Sequence, residues 1–256
     1  MQSTGNTSSP KNNLSNVAYI ANQARDLGAD LLVTPELYSV GYAPEQVHQT
    51  DGKTHRDQLA AIAAISDIGL VASTVEHDEG KHYICASLFN RNGVEQTRYR
   101  KQHLFGTAEN EVFSRGTEAP EVVLFDGIRI ALGICFDVEF PEFVRAAAVS
   151  GAQLLCVPTA VPLRPPTVTG AHPLDTRLIP SMVVPTRALE NQMFIAYANH
   201  SGPDFAGLST IADPYGRRLA TAWGMEDLIT ASINIDDMET ARADTGYFPL
   251  PDPCAT

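Results

Sequence analysis

The sequence predicts an α/β protein in which helices and sheets stack in layers. Apolar residues recur at helical spacing, short apolar runs stop at Pro or at a polar residue, and tight Asn/Gly and Asp-Gly turns join some of those runs. Helices interleave with strands along the chain, which argues against an all-β barrel. No repeat of fixed period and no low-complexity tract interrupts this pattern. With 256 residues, 44% of them apolar, the chain can bury one large core, and a single domain over residues 1–256 is expected.

Leu14, Val17, Ala18, Ala21, Ala24 and Leu27 share one helical face, and Gly28 supplies a stop. Residues 31–34 read as a short strand halted by Pro35, with Glu36 at its carboxyl end. Asp51 is a candidate cap for a second helix that turns Leu59, Ile62 and Ile65 inward. Strands are expected over 69–75 and 83–89, and Asn90-Arg91-Asn92-Gly93 turns the chain into another over 94–99, because Asn and Gly tolerate positive φ. A second hairpin joins 122–125 to 128–134 across Asp126-Gly127. Pro141 opens a helix with Phe143, Val144, Ala147 and Ala148 on its apolar side, and a strand over 154–157 runs into Pro158.

Seven of the seventeen prolines fall within 158–185, so that stretch is expected to be irregular through Pro173, to form a lid or pocket wall, and to become helical only before Asn191. Strands follow over 194–198, 208–212, 217–220 and 228–235, with Asp213-Pro214-Tyr215-Gly216 as a turn.

The formal net charge of -12 disfavours nucleic acid and anionic membrane as partners, since an acidic surface repels both. A small neutral or cationic molecule fits better. No apolar stretch approaches the roughly 20 residues that span a bilayer, and residues 1–13 lack the apolar centre of a signal peptide. Cys85, Cys135, Cys156 and Cys254 are widely spaced, without a Cys-x-x-Cys pair, so metal and disulfide-framework readings are weak. Reduced thiols and a cytoplasmic location are expected.

Three strand ends present polar groups after apolar runs: Glu36, Lys101 and Cys135. Cys135 sits where a strand bends into a helical pattern, a place that lifts one side chain off a sheet and leaves backbone N–H groups free. A thiol with an ordinary pKa of about 8.5 needs a base or a nearby cation to become a nucleophile, and Glu36 and Lys101 are the chemical types that supply them. Taken singly, each has a plainer reading: Cys135 as a small core residue, Glu36 as a surface acid, Lys101 as one of three polar positions in Arg100-Lys101-Gln102.

The segments around these residues resemble the nitrilase, or carbon–nitrogen hydrolase, superfamily. Leu32-Val33-Thr34-Pro35-Glu36-Leu37 looks like its glutamate segment, Arg100-Lys101-Gln102-His103-Leu104-Phe105 like its lysine segment, and Gly133-Ile134-Cys135-Phe136-Asp137 with Phe140-Pro141-Glu142 like its cysteine segment. The likeness continues through Arg187-Ala188-Leu189-Glu190-Asn191-Gln192 and Ala196-Tyr197-Ala198-Asn199. It implies a four-layer α-β-β-α sandwich that assembles into homodimers or larger oligomers. It also implies catalysis by Cys135 as nucleophile, Glu36 as general base and Lys101 at the oxyanion, with the Phe136 N–H completing the oxyanion hole and no metal or organic cofactor.

Glu109, eight residues past Lys101, matches a further glutamate of the superfamily and is expected to orient Lys101 or the substrate amide. Phe136-Asp137 after the cysteine resembles the amidase-like branch, whereas true nitrilases usually carry Trp-Glu there. Related amidases of acidic amides often carry Arg where this chain has Glu139, so the resemblance implies a small aliphatic or ω-amino carboxamide. Phe136, Glu139 and Tyr42 are the candidate substrate contacts, and His103, His200 and Phe205 further pocket walls. An N-carbamoyl amine or β-ureido acid hydrolase, a nitrilase, and a catalytically silent binding protein are the rival readings. Members usually open with a β-strand that is lacking before Met1-Gln2-Ser3, which implies a truncated start or a replaced strand. Pro249, Pro251 and Pro253 suggest an extended arm that reaches a partner subunit.

Overall fold

The computed structural model describes residues 1–164 and 174–247. Its first layer holds α1 (Pro10–Asp26) and α3 (Gly52–Ser66), with the short α2 (Pro44–Val47) between them in sequence. α1 starts with Pro at its first turn, where a missing N–H costs nothing, and buries Leu14, Val17, Ala21 and Ala24. Asp51 caps α3 by accepting from Lys53 N and Thr54 N. The buried face of α3 runs through Arg56, Leu59, Ala63 and Ser66. Ile65 therefore points outward and is 81% exposed, against expectation, because an inward Leu59 sets a 3.6-residue phase that only Ile62 can partly join.

β1 (Leu31–Val33), β2 (Gly69–Asp78), β3 (Lys81–Phe89) and β4 (Glu95–Arg100) form a four-stranded sheet in that order, with β1 parallel to β2 and the rest an antiparallel meander. Alternation along β2 decides its two faces: Leu70 and Ala72 pack under the helices, Val71 and Val75 toward the second sheet.

The second sheet has the order β10-β9-β8-β7-β6-β5, with a parallel centre. Its strands are β5 (Val123–Phe125), β6 (Ile128–Leu132), β7 (Leu154–Thr159), β8 (Phe194–Asn199), β9 (Thr210–Ala212) and β10 (Arg218–Thr221). β7 continues through Pro158 instead of stopping there. The pairing with β6 ends at Cys156, so the side on which proline lacks an N–H has no strand to bond.

α5 (Pro141–Val149) buries Phe143, Val144, Ala147 and Ala148 as the spacing predicts, and packs beside α6 (Val184–Asn191) over this sheet. A π-helical turn, Ile179–Val183, leads into α6. The layers are thus helix, sheet, sheet, helix. α4 (Gly106–Val112) lies beside the site, and α7 (Asp236–Thr245) closes the described chain. Among the described residues no helix is long and apolar enough to cross a membrane.

One expected strand is absent. Past the bridge from Gln2 to Asp227, residues 228–235 run without strand pairing, and residues 228–233 with Leu31, Leu32 and Val33 line a cavity of about 320 Å³ at the edge of β1. An alternating apolar pattern makes a strand only where another backbone lies beside it, and here a void does. At the start of the chain Gln2 and Ser3 make isolated bridges, to Asp227 and His200. The expected lid falls partly on residues 165–173, and the Pro249, Pro251 and Pro253 arm falls on 248–256; these lie outside the described residues, as does Cys254.

Candidate active site

The ends of β1, β4 and β6 meet, and Glu36, Lys101 and Cys135 come together in the interior. Lys101 is fully buried, and its Nζ donates to Glu36 Oε1 at 2.8 Å and to Glu109 at 2.8 and 2.9 Å. Glu109, also fully buried, sits on α4, reaches back to the Phe105 N–H at 2.8 Å, and accepts from the Tyr42 hydroxyl at 2.6 Å. An exposed loop acid is thereby ruled out for Glu109. Two buried carboxylates and one ammonium leave the cluster an excess of negative charge when all are ionised. Burial raises the Glu36 pKa to about 7, with the Lys101 charge pulling the other way. Its second oxygen, Oε2, is not taken by Lys101, and the Cys135 thiol is within hydrogen-bonding reach of the carboxylate.

Cys135 is 3% exposed and occupies the left-handed region at φ 47°, at the head of a 3-10 turn, Cys135–Glu139. Such a conformation costs a non-glycine residue about 1 kcal/mol or more and turns the side chain sharply off the strand. Gly133, two residues before, gives α5 room to approach, since a Cβ there would stand 2.9 Å from the Phe143 ring. Burial and the Glu36 charge push the thiol pKa well up; Lys101 and the Ala160 N–H act against this and do not prevail. The resting sulfur is therefore a thiol in the field of the Glu36 carboxylate, and not the preformed thiolate that proximity to a lysine suggests.

Two side chains hold the cysteine turn. Asp137, fully buried, accepts from Ile134 N and Tyr99 Oη through Oδ2, and from His103 N through Oδ1, with His103 Nδ1 at 2.8 Å. Tyr99 and His103 flank Lys101, so one carboxylate fastens the lysine segment to the cysteine segment. Arg187, from α6, donates to the carbonyls of Val138 and Glu139 at the carboxyl end of the turn, where a cation also suits the helix dipole. Neither role is visible in sequence spacing.

The candidate substrate contacts take different places. Phe136 stacks edge-on between Phe105 and Phe140, with the Arg164 guanidinium over Phe105. Tyr42 faces His200 and Phe205 as well as Glu109. The Glu139 carboxylate has no ion pair among the described residues; burial raises its pKa, opposed by the charges of Arg164, Arg187 and Lys101. Arg145, a conceivable partner, donates instead to the Glu190 carbonyl. Tyr197, within the family-like segment Ala196-Tyr197-Ala198-Asn199 but not among the candidate contacts, is 2% exposed, with its hydroxyl toward Thr159. Burial pushes its phenol pKa well up, and the nearby Glu139 carboxylate adds to this. His103 stacks on Phe140 at 3.9 Å.

A carbon-nitrogen hydrolase family model matches residues 1–243. The chain belongs to the carbon-nitrogen hydrolase family. Within the nitrilase superfamily its neighbours are amidases. An amidase from Nesterenkonia sp. AN1 in complex with butyramide superposes with a TM-score of 0.83 at 34% identity, covering 95% of this chain and 93% of that one. Another structure of that amidase shows the acetamide moiety of fluoroacetamide added covalently at its active-site cysteine, with a TM-score of 0.80, 35% identity, and 87% and 84% of the two chains covered. Among curated relatives, 2-oxoglutaramate amidase of Bacillus subtilis is 31% identical over 229 residues, 86% of this chain and 84% of that protein. A hydrolase of Pseudomonas protegens is 33% identical over 246 residues, 92% of this chain and 82% of that protein. In this carbon-nitrogen hydrolase the buried Lys101 cluster and the strained Cys135 thus lie in one place.

Proposed function

We propose that this carbon-nitrogen hydrolase is an amidase that converts a small aliphatic or ω-amino carboxamide to the carboxylic acid and ammonia through a thioester on Cys135. The observation that carries the reading is the fully buried Lys101 ammonium held by Glu36 and Glu109, with the Cys135 sulfur in the same field. Glu36 takes the thiol proton as sulfur attacks the amide carbon. Lys101 and the Phe136 N–H, at the start of the 3-10 turn where backbone donors lack helical partners, receive the oxyanion. Glu36 returns the proton to the departing nitrogen, ammonia leaves, and the same carboxylate activates water against the thioester. Glu109, held by Tyr42 and Phe105, keeps Lys101 aimed.

A carboxylate that titrates near neutrality serves both halves of this cycle, since it gives and takes a proton at little cost. The substrate class rests on Glu139. An unpaired carboxylate in the field of Lys101 attracts an ammonium-bearing chain and repels an acidic one. Butyramide bound to the Nesterenkonia relative supports a short aliphatic chain. The 2-oxoglutaramate amidase supports the amide and not the charge preference. The described cysteines are free and buried, in keeping with a cytoplasmic location.

Ammonia release from butyramide, an ω-amino amide and a dicarboxylic mono-amide of equal length tests the reading. Turnover of the first two above the third is expected. Preference for the acidic amide would remove the Glu139 argument, and release of carbon dioxide with ammonia from a carbamoyl compound alone would replace the reaction itself.

A further inference from the structure

His200 is fully buried directly after β8, and the reaction sequence above makes no use of it. The Gly5 N–H donates to its Nδ1 at 3.3 Å, and a backbone N–H can only donate. Nδ1 is therefore the acceptor, and the ring proton sits on Nε2, which lies 2.6 Å from the Glu36 carbonyl oxygen. Burial holds the His200 pKa down to about 4, so the ring stays neutral in this one tautomer. Phe205 stacks on it at 4.9 Å, and Tyr38 lies at 5.9 Å.

The backbone completes a closed loop. Glu36 N donates to the Thr159 carbonyl at 3.2 Å, and His200 N donates to the same oxygen at 3.3 Å. That carbonyl belongs to the peptide whose other end, the Ala160 N–H, faces the Cys135 sulfur. One peptide group thus touches both the nucleophile and the residue that carries the base. His200 supplies the link on the other side of Glu36. Leu37, next in the chain, is fully buried at φ 50°, a strained conformation that relaxes unless the peptide before it is gripped.

We propose that His200 is a positioning residue: its Nε2–H fixes the Glu36 carbonyl, and so sets the Glu36 carboxylate against the Cys135 sulfur across the two sheets. The proposal rests on the reading of Glu36 as general base. His200→Gln places an amide nitrogen where imidazole Nε2 stood, and His200→Asn places one nearer Nδ1, out of reach of the carbonyl. Both variants are polar and smaller than His, so lost packing does not separate them. Rates for butyramide are referred to the amount of Cys135 titrated by iodoacetamide, which removes any difference in folded fraction.

The Asn variant is expected to lose about 100-fold in kcat with KM changed by less than about threefold, and the Gln variant to recover most of that loss. The acid limb of kcat/KM should move down by about one pH unit in the Asn variant as Glu36 gains water, and return in the Gln variant. Equal kcat in the two variants, or a reduced kcat with an unmoved acid limb, would overturn the proposal. Glu36→Gln keeps the two failures apart: an active Glu36→Gln enzyme refutes the base, whereas an inactive one with indistinguishable His200 variants refutes only the link.

Discussion

The turn that carries Cys135 and the turn that follows Glu36 both place a non-glycine residue at positive φ, at 47° for Cys135 and 50° for Leu37, yet they are held by different means. The cysteine turn is gripped by charged side chains, Asp137 at its front and Arg187 at its back. The glutamate turn is gripped through its backbone, by Thr159 and His200. Charged acceptors and donors make the stronger bonds and leave a larger penalty when one partner is removed. The cysteine side should accordingly be the stiffer of the two, with the Glu36 side as the part that adjusts.

The largest effect is expected at the sulfur itself. Cys135→Ala should lower amide turnover by on the order of 10⁵-fold or more, because attack without a nucleophile leaves only binding and the oxyanion site. Iodoacetamide labelling followed by mass spectrometry should lose its major site in the same variant. Full turnover without the thiol would dissolve the comparison, since the strain at Cys135 would then serve no chemistry.

Asp137→Asn probes the stiffer side. The carboxylate accepts from Ile134, Tyr99 and the His103 N–H, and an amide turns a donor toward at least one of them. A loss of about 2 to 3 kcal/mol in urea unfolding is expected, with kcat about 100-fold lower as Lys101 and Cys135 lose their common anchor. A variant that keeps stability and rate would show that the backbone alone holds the cysteine turn.

The strand ends that meet at the site were legible for different reasons: apolar runs over 31–34 and 128–134 stop before Glu36 and Cys135, whereas Lys101 follows an alternating strand that the Asn90-Arg91-Asn92-Gly93 turn marks out. Asp51 as a cap and the apolar face of α5 were legible for equally local reasons. The clamps were not. Asp137 works by meeting Tyr99 and His103, 38 and 34 residues away, and His200 meets Glu36 across 164 residues. Those distances close only once the stacking of the two sheets is known. Residues 228–235 misled for the opposite reason, since their apolar pattern met a cavity instead of a neighbouring strand. Glu109 could be singled out only by likeness to a family, because nothing in its own surroundings marks it as buried.

The adjustable side should show itself in pH dependence. In the proposed reaction the carboxylate form of Glu36 acts as the base, and burial raises its pKa to about 7, so kcat/KM should rise with pH through about 7 and level off above it. Folding responds with the opposite sign. A raised native pKa favours the protonated native state, so this group's contribution is complete below the ordinary carboxylate range and is lost as pH rises through about 7. Glu36→Gln should therefore flatten the fall in thermal stability between pH 5.5 and 8 as well as abolish turnover. An acid limb near pH 4 would mean that water reaches Glu36 freely and that its turn is not gripped.

Tyr42→Phe should give the smallest effect and divides the two sides most finely. The Tyr42 hydroxyl donates to Glu109 Oε1 at 2.6 Å, but that carboxylate also keeps the Lys101 ammonium and the Phe105 N–H. Phenylalanine preserves the ring that faces His200 and Phe205. One hydrogen bond among several is worth about 1 kcal/mol, so kcat should fall less than about tenfold with KM nearly unchanged. Because Tyr42 contacts the lysine support on one edge and the His200 ring on the other, the pH profile tells which contact matters. An unmoved acid limb places the hydroxyl with Lys101, and a downward shift places it with Glu36. A loss beyond about 100-fold would exceed what one indirect contact can transmit, and would put the phenol in direct contact with the reacting amide.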